Sequence, residues 1–241
     1  MARRLAKAIA DAGICSRREA ERRIEAGRVQ LNGKVQTSPA INVSGTDTVL
    51  VDGNTINWTD KKRRVFAYNK PAGIICANTD PEGRPTLFDT LPKNTPRLVL
   101  VGRLDLNSEG LILLTNDGAF AGELMHPKHE LERVYKVRFR GDLTREKRAA
   151  MAKGPTIDGV HYRRVDVRPQ KQASEGSNQW AEVSLHEGKN REIRKVFEHF
   201  GLQVNRLMRL SYGGISLGSL TTKALRELTP EEVKQLEKQV A

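Results

Sequence analysis

The chain opens on two short helical periods. Leu5, Ala8, Ile9 and Ala12 recur at helical spacing, and Gly13 ends the run. Ser16-Arg17-Arg18-Glu19 has the form of a capping box and starts a second helix, with Ala20 and Ile24 as a thin apolar seam and Gly27 at its end. Val29 and Leu31 then alternate with polar residues, Asn32-Gly33 is a favoured hairpin turn, and the short β runs between Val43 and Ile56 read as a closing hairpin. The charged stretch Asn57 to Arg64 reads as a linker, in which Trp58 is either an anchor or a stacking residue. This pattern predicts a small domain over 1–60 and a larger one over 61–241.

From Val65 the periodicity changes. Val65 to Gly73 predicts a strand running into a Pro/Gly turn, followed by a Pro-containing loop over 79–85 and a short helical turn over 86–91. Leu98 to Val101 and Leu111 to Leu114 are apolar runs of strand length, and Gly118 to Met125 reads as a helix. Between Glu132 and Phe139 the alternation is strict: Val134, Lys136 and Arg138 share one face, while Tyr135, Val137 and Phe139 share the apolar one. A polar helix over 143–151 follows, then strands over 160–167 and 179–185, with a polar loop from Gln170 to Asn178. Asn190 is placed to cap a helix whose apolar stripe is Ile193, Val196, Phe197 and Phe200. A strand over 204–210 and the Gly213-Gly214 turn lead to a final helix opened by Thr229-Pro230-Glu231-Glu232, with Val233, Leu236 and Val240 as its inner face. No internal repeat appears along the chain.

Composition narrows the partners. The 241 residues carry a net charge of +12, which favours a polyanion and nucleic acid first. The charge is concentrated: residues 1–34 hold Arg3, Arg4, Lys7, Arg17, Arg18, Arg22, Arg23, Arg28 and Lys34 against Asp11, Glu19, Glu21 and Glu25. Acids on the second helix are too few to neutralise its arginines, so its basic face is expected to meet phosphates. No apolar run is long enough to span a membrane, and the basic N-terminus lacks the apolar core of a secretory signal. Cys15 and Cys76 fit no metal spacing and no disulfide framework, and the five histidines make no metal motif. A reduced, cytoplasmic setting is the simplest expectation.

Two stretches carry candidate chemistry. In Gly102-Arg103-Leu104-Asp105-Leu106-Asn107-Ser108, a carboxylate sits on a loop between two apolar strands, where it either caps a turn or is a working acid. In Gly188-Lys189-Asn190-Arg191-Glu192-Ile193-Arg194-Lys195, two arginines lie at a helix N-terminus, where the dipole disfavours cations. They either pair with Glu192 and Glu198 on the surface or meet a carboxylate or phosphates.

The segment from Ser16 to Lys34 resembles the S4 RNA-binding domain. Tyr68-Asn69-Lys70-Pro71, Gly102 to Gly118, Tyr135 within Glu132 to Val137, and Gly188 to Lys195 together resemble the RsuA-type pseudouridine synthases, which modify ribosomal RNA. Asp80-Pro81-Glu82-Gly83-Arg84-Pro85-Thr86-Leu87-Phe88-Asp89 with Leu124-Met125-His126-Pro127 is similar to the members acting on large-subunit, 23S, ribosomal RNA. The resemblance implies an α+β protein, with a small S4-like α/β module and a larger domain with a mixed, mainly antiparallel sheet and flanking helices. It implies isomerisation of a uridine to pseudouridine by a monomer without cofactor or metal. Asp105 would be the catalytic aspartate, Tyr135 the tyrosine stacking on the target base, and Arg194 the partner of the aspartate. Contacts to RNA would come from Arg3, Arg4, Arg17, Arg18, Arg22, Arg28, Lys34, Lys70, Arg84, Arg103, Lys189 and Arg191. A small-subunit 16S synthase, an RNA-binding assembly factor without catalysis, and a carboxylate-based RNA hydrolase using Glu109 as a second acid are the competing readings.

Overall fold

A computed structural model describes residues 2–58, 62–170 and 178–241. The middle of the expected linker (59–61) and most of the polar 170–178 loop lie outside the described residues. The chain divides into two compact units, one made of the segment up to Arg64 with 94–99 and 115–118, the other of the remainder.

In the first unit, helix α1 (Leu5–Asp11) and helix α2 (Arg17–Glu25) pack against strands β1 (Val29–Leu31), β2 (Lys34–Gln36), β3 (Val49–Val51) and β4 (Asn54–Thr55). Leu5, Ile9, Ala20, Ile24, Val29, Val49 and Trp58 form one core. Trp58 is therefore an anchor, with the Arg3 guanidinium 5.1 Å from its ring centroid. The Asn32-Gly33 turn takes positive φ at both positions, 51° and 78°, as a type I′ hairpin requires. The expected capping box on α2 forms only by half. Ser16 accepts the Glu19 N–H at 3.1 Å, but the Glu19 carboxylate turns to Arg22 and Arg23.

The second unit is built on a mixed sheet. In chain order its strands are β5 (Val65–Lys70), β6 (Val99–Val101), β7 (Ser108–Thr115), β8 (Arg133–Arg140), β9 (Val165–Pro169), β10 (Asn178–Leu185), β11 (Gln203–Tyr212), β12 (Ile215–Ser216) and β13 (Leu225–Glu227). They lie in the order β9-β10-β8-β11-β7-β5-β13, with β12 on β11 and β6 on β7. Strand β8 is antiparallel to both neighbours, whereas β11 and β7 run parallel. The helices are α3 (Gly118–Met125), α4 (Arg145–Ala152), α5 (Glu192–His199) and α6 (Pro230–Gln239). Burial along β8 alternates as expected, and Phe139 meets Phe197 of α5 edge to face at 5.4 Å, which docks that helix on the sheet. Helix α6 has the full capping box at Thr229 and Glu232 and buries Leu236 completely.

The strand expected over 160–167 is broken. Asp158 and Gly159 adopt positive φ, 49° and 74°, so Val160-His161 folds back on Thr156-Ile157. Tyr162 is then buried, and only at Val165 does the chain join the main sheet.

Candidate active site

Asp105 stands on the turn between β6 and β7, and the turn is fastened from beneath. Lys70, at the end of β5, is 0% exposed. Its Nζ donates toward the main-chain oxygens of Pro71 (3.0 Å), Asp105 (3.1 Å), Leu106 (3.3 Å) and Ser108 (2.8 Å). An ammonium has three protons, so four acceptors saturate it and replace the water lost on burial. Burial pulls the Lys70 pKa down, opposed by Cys76, Asp105 and Glu109. Lys70 is thus an internal brace, and the expectation that it contacts RNA is corrected: its side chain is buried under this loop. The Gly73 N–H bonds to the Leu106 oxygen at 2.8 Å and the Ser108 N–H to the Asp105 oxygen at 3.0 Å. The Asp105 carboxylate is left 34% exposed at the top of this scaffold.

The cation paired with Asp105 is Arg191, Nη1 to Oδ2 3.8 Å. The expected Asp105–Arg194 pair is corrected accordingly. Arg194 instead donates to the Val204 oxygen at 3.2 Å and the Asn107 oxygen at 3.1 Å, tying α5 to the backbone of the same loop. Burial, then the neighbouring Arg191, lower the Arg194 pKa, and Asp105 opposes the shift. The exchange follows from the helix start. Arg191, not Asn190, holds the N-cap position, in the left-handed conformation at φ 52° and ψ 31°, and this aims its side chain away from the helix toward the loop. Asn190 does not cap. The surface pairings expected with Glu192 and Glu198 are also absent: Glu192 is buried and accepts the Lys189 N–H at 2.9 Å.

Tyr135 is 8% exposed on β8. Its register partner on β11 is Arg209, whose partner on β7 is Gly110. Those three residues form a row across the sheet, five residues past Asp105. Gly110 has φ 96°, and a Cβ there would fall 2.3 Å from the Arg209 oxygen. Only glycine allows β7 and β11 to approach in this way.

The sequence pattern did not pick out two buried arginines. Arg133 and Arg209 both lie against the Tyr212 ring, at 4.8 and 5.2 Å. Arg133 donates to the Leu131 oxygen (2.7 Å) and the Tyr212 hydroxyl (3.1 Å), and Arg209 Nε to the Leu111 oxygen (2.7 Å). Arg133 falls on the apolar face of β8 by alternation, which is the signal that could have found it. Glu109 forms a two-pronged ion pair with Arg206, at 3.0 and 2.9 Å, so the second acid a hydrolase would need is occupied. Among the described residues, no group of three or more His, Cys, Asp or Glu could hold a metal ion. Both cysteines are free thiols.

Residues 64–199 match the family model for RNA pseudouridylate synthase, and residues 3–56 match that of the S4 domain. The chain belongs to the RNA pseudouridylate synthase family. The synthase is 45% identical over 231 residues to an uncharacterized RNA pseudouridine synthase of Rickettsia bellii (strain RML369-C), covering 96% of this chain and 99% of that one. It is 43% identical over 224 residues to ribosomal large subunit pseudouridine synthase B of Salmonella typhi, covering 90% of this chain and 76% of that one. A solved structure described as a pseudouridylate synthase superposes with TM-score 0.68 at 26% identity, covering 97% and 99% of the two chains. The synthase is therefore an isomerase, and the non-catalytic assembly-factor reading falls away.

The other basic residues of the synthase differ in how free they are. Arg17 pairs with Glu21 at 3.5 Å, Arg22 with Glu19, and Arg28 with Asp52 at 2.6 Å. Local acids therefore meet much of the α2 charge, contrary to expectation, although exposed pairs of this kind are weak and open readily. Arg3 pairs with Asp11 at 2.9 Å and Arg4 bonds to the Ala40 oxygen. Arg18, Lys34 and Arg103 are exposed. Arg84 is held by both oxygens of Asp80, at 2.9 and 2.8 Å, and by Glu82 at 2.9 Å. Lys189 pairs with Glu187 over the Tyr162 ring.

Proposed function

We propose that the synthase converts a uridine of large-subunit, 23S, ribosomal RNA to pseudouridine, with Asp105 as the catalytic carboxylate. The supporting observation is the Asp105 turn itself: a carboxylate raised on a backbone held by Lys70, with the Arg191 guanidinium facing it at 3.8 Å. The reaction breaks N1–C1′ and makes C5–C1′; the C5 proton leaves and N1 gains one, with no oxidation or net hydrolysis. Asp105 works at the sugar or at C6 of the base. The target nucleotide leaves its stack, as for other enzymes that act on bases, and Tyr135 offers its ring as the new neighbour, worth about 1–3 kcal/mol. The S4 domain holds structured RNA through phosphate contacts from Arg17, Arg18 and Arg22.

The test is tritium release from 5-labelled uridine in 23S and 16S RNA. Wild-type protein should release tritium from 23S RNA, and Asp105→Asn should release none while binding RNA within about threefold of wild type. Release by the mutant at the wild-type rate would refute the role of Asp105; release from 16S RNA alone would refute the substrate.

A further inference from the structure

On either side of Arg191 in the chain lie two carboxyl groups, Glu187 and Glu192, that the chemistry above does not use. Glu192, the first residue of α5, is 4% exposed. Its Oε2 accepts the Lys189 N–H at 2.9 Å, and its own N–H donates to the Lys189 oxygen at 3.2 Å. The two bonds close the turn Lys189-Asn190-Arg191, whose last residue is the one in left-handed conformation facing Asp105. The other carboxyl oxygen, Oε1, is buried with no donor.

The Glu187 carboxyl stands next to it and is already engaged. It accepts the Arg163 N–H at 2.7 Å and the Lys189 ammonium. The Lys189 ammonium thus meets Glu187, while the buried Glu192 has only the Lys189 backbone N–H. Two carboxylates cannot hydrogen-bond to each other, but a carboxylic acid can donate to a carboxylate. The charged groups around the pair are Glu187 and Lys189 on the preceding loop, Arg163, which is paired with Glu130, and Arg133, whose Nε is 3.6 Å from where a Gly188 Cβ would lie. The ring of Tyr162 lies 5.6 Å from the Lys189 ammonium.

We propose that Glu192 is a positioning residue for the isomerisation, its protonated carboxyl bridging Glu187 and the Lys189 backbone so that the turn keeps Arg191 against Asp105. Burial first, and the neighbouring Glu187 second, push the Glu192 pKa from 4.5 up to about 7. Loss of that proton puts two negative charges against one ammonium and draws Lys189 away from its present geometry. The proposal rests on the reading of Asp105 as the catalytic carboxylate.

The experiment is the single-turnover rate on ribosomal RNA between pH 6 and 9 for wild type, Glu192→Gln, Glu192→Ala and Asp105→Asn, each checked for folding by circular dichroism. Glutamine has the shape of the neutral acid and a donor for Glu187. Wild type should slow by about fivefold or more on passing through pH 7 to 8.5, while Glu192→Gln stays within about twofold of the low-pH wild-type rate throughout. Glu192→Ala should be slow at every pH. A Glu192→Gln profile that falls like wild type, or a glutamine variant as slow as the alanine one at pH 6.5, overturns the proposal. Full activity in Asp105→Asn overturns it by a different route, since Arg191 would then have no catalytic carboxylate to serve.

Discussion

Lys70 holds Asp105 by the main chain: its Nζ is 3.1 Å from the Asp105 carbonyl oxygen and 2.8 Å from that of Ser108. The interaction fixes where the carboxylate is presented without using up the carboxylate. Lys70→Met keeps the bulk and removes the donor. It should lower the rate by about 100-fold through misplacement of the loop and destabilise the protein by about 3 kcal/mol, because several buried carbonyls lose their partner. RNA binding should hardly change. Tritium release, thermal melting and filter binding measure the three effects, and a selective loss of RNA affinity would return Lys70 to the role of a surface contact.

Arg191 and Arg194 should separate experimentally. Arg191→Gln removes the charge facing Asp105 and should cost about 10-fold or more in rate with melting unchanged. Arg194→Gln removes two bonds that tie α5 to the Asn107 loop and to Val204, and should lower stability by about 1–3 kcal/mol. Paired kinetic and melting measurements decide the assignment, and the opposite pattern would reverse it.

The sequence showed where these residues cluster but not which of them meet. The alternation on β8, the α5 stripe and the α6 capping box depend on neighbours within one turn or one strand, and they are found as read. The Lys70 environment is assembled from residues up to 38 positions away, so no local pattern carries it. The exchange of Arg191 for Arg194 turns on one backbone angle, φ 52° at a non-glycine residue, which residue type does not announce. The pairing of Arg22 and Arg28 was missed because Glu19 leaves its capping position and because Asp52 comes from a distant hairpin turn, whereas the Arg17–Glu21 pair lies one turn apart on α2.

That pairing predicts the RNA affinity of the S4 domain. Glu19→Gln frees Arg22, leaves Arg23 to Asp52 alone and should tighten RNA binding, whereas replacing Arg17, Arg18 and Arg22 should weaken it. The triple variant should also reduce the slope of log affinity against log salt by about 0.7–0.9 for each phosphate that is no longer neutralised. A salt titration of binding checks both, and an unchanged slope would remove these arginines from the RNA interface.

Glu192 also leaves a signature on stability. Its pKa is raised on folding, from 4.5 to about 7, so across that window the folded state binds more protons than the unfolded one. Stability contributed at low pH is then lost as pH rises through the window. The difference between wild type and Glu192→Gln isolates the effect, because other carboxylates, such as Asp52 held low by Arg28, cancel in it. Denaturant melts should show the wild type losing ground to Glu192→Gln from pH 5 to 7.5; a constant difference would mean that Glu192 does not change protonation on folding.

Gly110→Ala places a methyl group 2.3 Å from the Arg209 oxygen at a φ of 96°. The β7–β11 contact must open, and a loss of about 3 kcal/mol or more is expected by thermal melting. Wild-type stability in this variant would mean that the parallel pairing yields easily.

Tyr212 joins elements far apart in the sequence through one hydroxyl. It donates to the Leu124 oxygen at 2.7 Å and accepts from Arg133 at 3.1 Å. Because the proton is committed to the helix end, the lone pair has to face the guanidinium, and the link has a direction. A phenylalanine would keep the packing but break both joints at once, so the end of α3 and the base of β8 would lose their shared alignment together rather than one at a time.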